Sequence, residues 1–313
     1  MSHDSVVLIT GATGFIGSHL LQRFLSEGYS VIALTSGENN KWRLPQDQTR
    51  LTVRQADIAD ENAVASVFTE LRPDLVYHLA AGGVRADVEG GDTTFGVNVV
   101  ATLGLARAAL RHGVERFIHI GSGFELRAAA VPLDESAKIG STNYYGATKA
   151  AATVLLEYLE RVEELPLVIC RPFSVYGPGE NPGRFVPYVI RQALRGEAME
   201  LTMGTQMRDY LFVADLVDGL FRAKNAPIGS CFHFGAGPQG AYSIRSVVET
   251  ILRLTGAPAD LALWGKRTPP RPEPQYFVAD TSEAQNRLRW QAKTLLEDGL
   301  TQTIQYYRDN QTG

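Results

Sequence analysis

Short runs of apolar, often β-branched residues alternate with stretches of helical periodicity along the first half of the chain. Strands buried on both faces have such continuous apolar runs, whereas helices covering a sheet carry apolar residues at intervals of three and four. The pattern predicts strands at residues 6–10, 30–34, 51–56, 75–79, 117–120 and 167–170, and helices at residues 16–27, 94–112 and 144–163. This alternation is typical of an α/β fold with a parallel, doubly wound sheet.

The pattern changes after residue 171. Proline and glycine cluster at residues 176–183, a helix is predicted at residues 185–195, and four prolines fall within residues 267–274. Because proline favours an extended backbone, the last stretch is predicted as an extended connection. We therefore expect a large domain over residues 1–171 and a smaller α/β lobe built mainly from residues 172–313, with some later segments packing back on the large sheet.

Composition narrows the class of protein. The chain has 313 residues, of which 44% are hydrophobic and 20% charged, and its formal net charge is −4. We find no apolar run of the length that spans a bilayer, no basic and apolar leader at the start, and no block of lysine and arginine. These features argue against a membrane span, a secreted protein and a nucleic-acid partner.

Cysteine and histidine usage points to a reduced protein without a metal centre. Cys170 and Cys231 are the two cysteines, and each lies within an apolar segment. Buried, unpaired cysteines are typical of reducing compartments, so we expect a cytoplasmic location. The six histidines have no metal-ligand spacing among themselves or with the cysteines, so no metal site is expected.

A glycine-rich loop follows the first strand and opens the first helix. Gly11, Gly14 and Gly17 give the spacing of a dinucleotide site, with Phe15 and Ile16 between the last two. In such loops the first glycine permits a tight turn, the second lets the backbone approach a pyrophosphate, and the third allows close packing of helix and strand. The helix N-terminus adds free N–H groups and positive potential. We expect a dinucleotide cofactor here.

The end of the second strand decides between NAD and NADP. NAD enzymes usually place a carboxylate there for the ribose 2′-hydroxyl, but this strand ends in Thr35 and Ser36, with no carboxylate before Glu38. Lys41 and Arg43 follow. Small hydroxyls with a cation favour a 2′-phosphate, so NADP is the leading prediction and NAD the alternative; a solvated loop charge unrelated to the cofactor is also open.

Two residues after the third strand are further candidates for the cofactor site. Asp57 could accept a hydrogen bond from the adenine amine, with Ile58 beside it. As an aspartate before a helix, Asp57 could equally act as a helix cap. Both interpretations are kept open.

A tyrosine and a lysine begin the long third helix. Tyr145 and Lys149 stand four residues apart and therefore share one helix face. A neighbouring ammonium favours the phenolate, so we expect the tyrosine pKa to move toward neutrality, where the phenol can exchange a proton with a substrate oxygen. Ser122 follows the fifth strand at the edge where ligands of α/β sheets bind, and it could hold the same oxygen or merely cap a turn.

Motifs along nearly the whole chain resemble one family. They are the glycine loop, HLAA at residues 78–81, Asn98, the Tyr145-to-Lys149 segment, RPFSVYGPG at residues 171–179, RDY at residues 208–210 and a tail beginning DTSEAQNRLRW at residue 280. Together and in this order they resemble the extended short-chain dehydrogenase/reductases, and more narrowly the nucleotide-sugar epimerase/dehydratase family. The resemblance implies a Rossmann domain with a smaller C-terminal lobe that binds a nucleoside-diphosphate sugar.

The resemblance also implies roles for individual residues. Ser122, Tyr145 and Lys149 would be the catalytic trio, and Lys149 would bond the nicotinamide ribose. Residues near the cofactor would be Leu79, Ala80, Ala81 and Asn98. Residues that hold the substrate would be Ser122, Phe173, Arg208 and Arg271. A guanidinium suits a phosphate, although either arginine could instead form a surface ion pair, Arg208 with Asp209 or Arg271 with Glu273.

Departures from the family pattern narrow the reaction. Family 4,6-dehydratases carry Thr-Asp-Glu after the fifth strand, and those acids serve water elimination. The matching residues here are Ser122, Gly123 and Phe124, and Glu125 stands one place too late. The usual Val-Tyr-Gly that follows is replaced by Glu125, Leu126 and Arg127. We therefore do not expect a dehydratase.

Three functions stay open. The leading prediction is a 4-ketoreductase that uses NADPH on a nucleotide 4-keto-6-deoxyhexose, with Tyr145 as proton donor. The alternative is a nucleotide-sugar 4-epimerase with tightly bound NAD. A protein of another class, a non-catalytic nucleotide-binding or scaffold protein, would tend to lose the trio, which is present here. The resemblance also implies a homodimer that pairs the helices near residues 94–112 and 144–163.

Overall fold

The computed structural model describes residues 5–37, 41–46, 48–83, 91–268 and 273–310. Its first half alternates strands and helices. The strands are β1 (Val6–Thr10), β2 (Ser30–Thr35), β3 (Leu51–Gln55), β4 (Leu75–His78), β5 (Arg116–Ile120) and β6 (Leu167–Pro172). The helices are α1 (Phe15–Ser26), α2 (Glu61–Leu71), α3 (Asp92–Phe95), α4 (Thr102–Arg111) and α5 (Tyr144–Glu163), and a π-helical stretch, Gly96–Ala101, joins α3 to α4.

The second half adds shorter strands and five more helices within the described residues. The strands are β7 (Ser174–Tyr176), β8 (Met199–Leu201), β9 (Met207–Phe212), β10 (Ser230–Phe234), β11 (Ala241–Ser243), β12 (Ala262–Trp264) and β13 (Tyr276–Phe277). The helices are α6 (Phe185–Arg195), α7 (Val213–Ala223), α8 (Ile244–Thr255), α9 (Ser282–Leu288) and α10 (Leu296–Asp309).

Seven parallel strands form the large sheet, in the order β10-β6-β5-β4-β1-β2-β3. The order reverses between β1 and β4, and such a reversal opens a crevice at the carboxyl ends of the strands. Apolar clusters cover both faces of the sheet, which explains the continuous apolar runs of its strands. The predicted α/β fold with a doubly wound parallel sheet is confirmed.

Later segments both extend the large sheet and build a second body. β10 pairs with β6 at the sheet edge, and α7 packs against α1. Small sheets, β11-β9-β13 with β7 beside β9, and β12-β8, combine with α6, α8 and α10 around a separate apolar cluster. The carboxyl end of the large sheet therefore faces segments from the second half of the chain.

The helical segment from residue 92 to residue 111 is long and apolar enough, by length and composition, to cross a membrane. The expectation from run lengths missed this, because polar residues interrupt an otherwise apolar stretch. Half of the relevant window is buried in the molecule. Buried Thr94, Asn98 and Thr102 are among its polar residues. These are features of a helix that packs within a globular protein.

Candidate active site

The glycine loop leaves no room for side chains. Gly11 has φ +66°, in the left-handed region, and a Cβ there would lie 2.8 Å from Ala80 N. A Cβ at Gly17 would lie 2.2 Å from Gly11 O. Gly14 is the N-cap of α1 and brings no side chain to cap the first turn, which includes Phe15 and Ile16. The first-turn N–H groups are thus suited to a phosphate, and this cradle fits the predicted dinucleotide.

The neighbouring loop after β4 is held against this cradle by a buried chain of hydrogen bonds. His78 accepts or donates through both ring nitrogens, at 2.8 Å to Thr10 Oγ1 and 2.8 Å to Thr102 Oγ1. Ala80 N donates to Thr10 Oγ1 at 3.1 Å. Burial lowers the pKa of His78 to about 3, so the ring is neutral. The chain positions Leu79, Ala80 and Ala81, and sequence reasoning missed it because Thr10 and Thr102 carry no motif.

Asn98 lies in the π-helical stretch and is almost fully buried. Its Oδ1 accepts from Gly82 N at 2.8 Å, and its Nδ2 donates to Gly82 O at 3.1 Å and to Thr148 Oγ1 at 2.9 Å. Asn98 therefore connects the loop after β4 to the helix that carries Tyr145 and Lys149. A wide helical turn of this kind is frequent at functional sites.

Arg43 forms hydrogen bonds with two loops, the glycine loop and the loop that follows β7. Its Nη1 donates to Thr13 O at 3.1 Å and its Nη2 donates to Gly179 O at 2.9 Å, while the guanidinium lies over the Trp42 ring. The arginine predicted to face a 2′-phosphate thus links the glycine loop to the loop that follows β7. Its described contacts are with the protein's own carbonyls and one ring.

The residues after β2 divide between the interior and solvent. Thr35 is buried, and its hydroxyl has no partner among the described residues, whereas Ser36 is exposed. Glu38 and the Lys41 side chain lie outside the described residues. Of the two hydroxyls that favoured NADP, only that of Ser36 faces solvent.

The structure tests the capping alternative for Asp57, whereas the predicted cofactor contacts of Asp57 and Ile58 stay predictions. The exposed Asp57 carboxylate accepts from Ala59 N at 2.9 Å, which closes a local turn. The N-cap of α2 is Asp60, whose carboxylate accepts from Asn62 N and Ala63 N. The capping alternative for Asp57 is therefore wrong. Ile58 is buried.

Ser122 and Tyr145 meet at the carboxyl end of β5. The Ser122 hydroxyl lies beside the Tyr145 phenol and acts to lower its pKa, and it accepts from Phe124 N at 3.2 Å. The turn-capping role considered for this serine is therefore confirmed, and its role toward a substrate oxygen stays a prediction. Asn143 begins α5 by accepting from Gly146 N at 2.8 Å, which sets the register that presents Tyr145.

The electrostatics of the trio differ from the expectation. Burial raises the pKa of Tyr145 to about 12, and the Glu125 carboxylate pushes this pKa in the same direction, against the Arg184 charge and the Ser122 hydrogen bond. Burial lowers the pKa of Lys149 to about 8, against the opposing effect of Glu125. The expected lowering of the tyrosine pKa toward neutrality is therefore wrong for the chain alone, because burial disfavours the charged form of both groups.

An aromatic group replaces the dehydratase acids beside Ser122. A Cβ at Gly123 would lie 3.0 Å from the Phe173 ring. Phe124 is partly exposed and stacks on Phe277 with centroids 5.4 Å apart, and Phe277 also packs on Phe173. The place where acids would serve elimination thus presents apolar rings.

Arg208 is held by the second half of the chain. Its Nη1 donates to Pro274 O at 2.8 Å and its Nη2 pairs with Glu273 at 3.2 Å. The alternative pairing with Asp209 is wrong, because the buried Asp209 carboxylate accepts from the main-chain N–H groups of Ala236 and Ala279 instead. Arg271, the other predicted phosphate ligand, lies outside the described residues.

Comparison with known families settles the relationship. The family described as the NAD dependent epimerase/dehydratase family matches residues 7–230, well over half of the chain. The chain belongs to this family. The resemblance drawn from the motifs is confirmed. The motifs follow one another along the sequence in the same order as the elements that form the site.

Individual members of the epimerase/dehydratase family resemble the chain over nearly its full length. A UDP-glucose 4-epimerase of Mycolicibacterium smegmatis is 30% identical over 96% of this chain and 98% of its own. The structure of a UDP-glucose 4-epimerase from Thermotoga maritima with UDP-glucose matches with a TM-score of 0.91 at 26% identity, covering 98% and 99% of the two chains. MoeE5 in complex with UDP-glucose and NAD matches with a TM-score of 0.88 at 31% identity, covering 98% and 100%.

The sequence did not predict the role of one residue in this site. Glu125 was considered only as a displaced dehydratase acid, yet it is fully buried behind Ser122. Its Oε1 accepts from Ser122 N at 2.7 Å, and its Oε2 accepts from Thr153 Oγ1 at 3.0 Å and from Arg171 Nε at 2.9 Å. The available signal was a charged residue in place of the family's valine, with an arginine at the end of the next strand.

Proposed function

We propose that the protein is an NAD-dependent 4-epimerase of a nucleoside-diphosphate sugar. The observation that carries the proposal is the site at the end of β5, where Ser122 lies beside the Tyr145 phenol and Gly123 and Phe124 stand in place of acids. Reversible oxidation of a hydroxyl needs one group to exchange a proton, whereas elimination of water needs further acid and base groups. The named 4-epimerase relatives support the same choice.

The trio can perform both halves of an epimerisation. When bound, NAD supplies a reversible hydride acceptor for C4. The Tyr145 phenolate takes the proton of the 4-hydroxyl as the ketone forms, and the resulting phenol gives that proton back after the sugar has turned its other face to the cofactor. Ser122 holds the same sugar oxygen, and the Lys149 ammonium stabilises the phenolate. The glycine loop holds the pyrophosphate, and Asn98 keeps the helix of the trio in place.

NAD is preferred over NADP in this proposal. Arg43, the cation that favoured a 2′-phosphate, has both terminal nitrogens bonded to main-chain carbonyls. The link between the glycine loop and Gly179 closes the protein beside the cradle, as suits an enzyme that keeps its cofactor through every turnover. Relatives with NAD bound support the same cofactor.

A second candidate is the 4-ketoreductase that uses NADPH on a nucleotide 4-keto-6-deoxyhexose. Two observations favour it. β2 ends in Thr35 and continues with Ser36, and neither offers a carboxylate to an NAD ribose. The exposed Phe124 ring next to Ser122 suits a C6 methyl group better than a hydroxyl or a carboxylate.

The experiment that separates these candidates starts from freshly purified protein. The protein is denatured, and the released cofactor is identified by mass spectrometry. Native protein is then incubated with UDP-glucose without added cofactor, and the C4 epimer is followed by proton NMR. Near-stoichiometric NAD together with interconversion supports the epimerase.

The other outcomes point elsewhere. Empty protein that prefers NADPH to NADH and reduces a nucleotide 4-ketosugar favours the ketoreductase. Bound nucleotide without turnover of any nucleotide sugar supports the non-catalytic alternative. In each active case, Tyr145→Phe serves as the inactive control.

We also propose that the protein is a cytoplasmic homodimer. The outer side of α5 carries Val154, Tyr158 and Val162, which are 47%, 48% and 60% exposed. Their spacing of four residues makes one apolar stripe along the helix, and Val100 adds an exposed apolar side chain in the segment that packs beside α5. We propose that two copies bury this stripe. The cytoplasmic location rests on the free cysteines.

A further inference from the structure

A single buried carboxylate ties together three elements of the candidate active site. Glu125 bonds the Ser122 main chain after β5, Thr153 in the middle of α5, and Arg171 in β6. Thr153 lies one turn beyond Lys149 on α5. The carboxylate therefore fixes the distance between the serine turn and the helix that carries the other two members of the trio.

Neighbouring glycines make room for this arrangement. A Cβ at Gly121 would lie 2.3 Å from Glu125 Oε1, so the side chain fits only because residue 121 has none. A Cβ at Gly146 would lie 2.2 Å from Phe124 O, so α5 can press against the turn that Glu125 closes. Neither glycine has its backbone in the left-handed region, so the close packing, and not the backbone conformation, requires glycine at both positions.

The stability that a buried ion pair contributes does not by itself explain why Glu125 and Arg171 are paired here. The side chains of Arg171 and Glu125 are 5% and 0% exposed. Apolar residues of similar volume often stabilise a protein as well as a buried ion pair does, because desolvation offsets most of the attraction between the charges. The position of the pair, directly behind the trio, points instead to a role in the site.

Several charged and titratable groups surround the trio. Glu125 and Arg184 face Tyr145, and Glu125 also faces Lys149. His78 in β4 and His119 in β5 are also close enough to Lys149 for its charge, after burial, to lower the pKa of both rings. Arg171 faces Glu125, Cys231 and Glu157. Among these groups, Glu125 brings the negative charge that raises the pKa of the buried lysine.

We propose that Glu125 is a positioning residue of the catalytic trio: its carboxylate holds the Ser122 turn and α5 in one arrangement and provides the charge that retains the Lys149 ammonium. The inference rests on the proposed role of the trio. Arg171 completes the device by holding the carboxylate from β6. A protonated lysine is the form that stabilises a Tyr145 phenolate, so Glu125 favours the phenolate through Lys149, while its own charge acts directly on Tyr145 in the opposite sense.

The test measures the titration of Lys149 itself, without substrate. The chain has six lysines, so protein labelled with ¹³C at lysine Cε gives few NMR signals, and Lys149→Arg identifies the one that matters. The pKa of Lys149 lies at about 8, within the range that the folded protein can be titrated. In Glu125→Gln we expect it to fall by about one, a tenfold change in the dissociation constant.

Matched variants separate charge from packing. Glu157→Gln makes the same chemical change on α5 without touching Lys149, and Glu125→Asp keeps the charge; both should leave the midpoint close to that of the wild type. Glu125→Leu with Arg171→Met replaces the whole pair by apolar side chains and should fold if Glu125→Gln does not. It should also show a lowered midpoint.

An unchanged Lys149 midpoint in folded Glu125→Gln, or in the double variant, would overturn the proposal. An equal shift in Glu157→Gln would overturn it as well. Because the measurement uses no substrate, an error in the proposed reaction would leave these titrations unaffected and would show only in the turnover assays.

Discussion

The Tyr145 phenol and the Lys149 ammonium share one face of α5, and burial moves their pKa values apart, to about 12 and about 8. At neutral pH the pair therefore rests as a neutral phenol and a charged lysine. A phenol is ready to donate a proton, and it becomes a base only when positive charge is gathered around it. The lysine is the part of the chain that can provide this charge from within the same helix.

The first prediction concerns the phenol oxygen. Tyr145→Phe removes that oxygen and leaves the ring, so we expect turnover to fall by about 10²–10⁴-fold. Bound cofactor should remain close to the wild-type level, because the glycine loop is untouched. The rate is measured by the C4 assay and the cofactor by mass spectrometry. Tyr144→Phe is the matched control, because it removes the same oxygen from the adjacent tyrosine, whose ring is exposed. Full activity in Tyr145→Phe would refute the assignment of the trio.

The second prediction concerns the cradle. Gly17→Ala places a Cβ 2.2 Å from Gly11 O, so the loop must shift. Its N–H groups then no longer point at the phosphates. We expect NAD to bind about tenfold more weakly or worse, which calorimetry on cofactor-free protein measures. Gly104→Ala lies in α4, where the nearest atoms are 4.0 Å away, and should bind as the wild type does. Equal affinities in both variants would contradict the role of the loop.

The strands and the long helix could be predicted from the sequence because their signals are local. Apolar runs that end in glycine or a polar residue marked β1 and β6 within two residues, and the helical period marked α5 at residues 144–163. The segment of residues 94–112 was expected as one helix. Its π-helical stretch accommodates the bonds of Asn98 to Gly82 and Thr148, which are distant in sequence, so periodicity could not show it.

The candidate site also combines local patterns, which the sequence shows, with long-range contacts, which it does not show. The glycine spacing, the Tyr145–Lys149 pair and Ser122 are short-range patterns, and the structure brings Ser122 to Tyr145. The contacts of Glu125 with Thr153 and Arg171 span 28 and 46 residues, and no local pattern predicts them. The tyrosine pKa was misjudged for a related reason, because the degree of burial is a property of the packed molecule.

The third prediction concerns stability against pH. Burial raises the pKa of Glu180 to about 8, although Arg184 opposes this, and one carboxylate oxygen has no partner among the described residues. The folded protein therefore binds more protons than the unfolded chain between about pH 4.5 and pH 8. Stability from this group is present below that window and is lost as the pH rises through it.

Glu180→Gln removes that dependence. We expect the variant to gain about 2–4 kcal/mol relative to the wild type between pH 5 and pH 9, measured by urea unfolding. Part of the decline should remain in the variant, because burial also raises the pKa of Asp209 to about 7. Glu197→Gln, on an exposed residue after α6, should follow the wild-type curve. Parallel curves for the wild type and Glu180→Gln would show that Glu180 does not titrate in this window.

The fourth prediction concerns the apolar stripe on α5. In a two-fold symmetric dimer each residue of the interface occurs twice, so one charge placed there creates two buried, unpaired charges. We expect Tyr158→Arg to convert a wild-type dimer into a monomer, as measured by light scattering after size exclusion. Leu295→Arg is the matched control, because Leu295 is also exposed and apolar but lies before α10, outside the stripe. A wild-type monomer would refute the proposed dimer, and dissociation by Leu295→Arg alone would place the interface elsewhere. Since α5 carries Tyr145 in its first turn, the monomeric variant would also reveal whether pairing of the helices supports turnover.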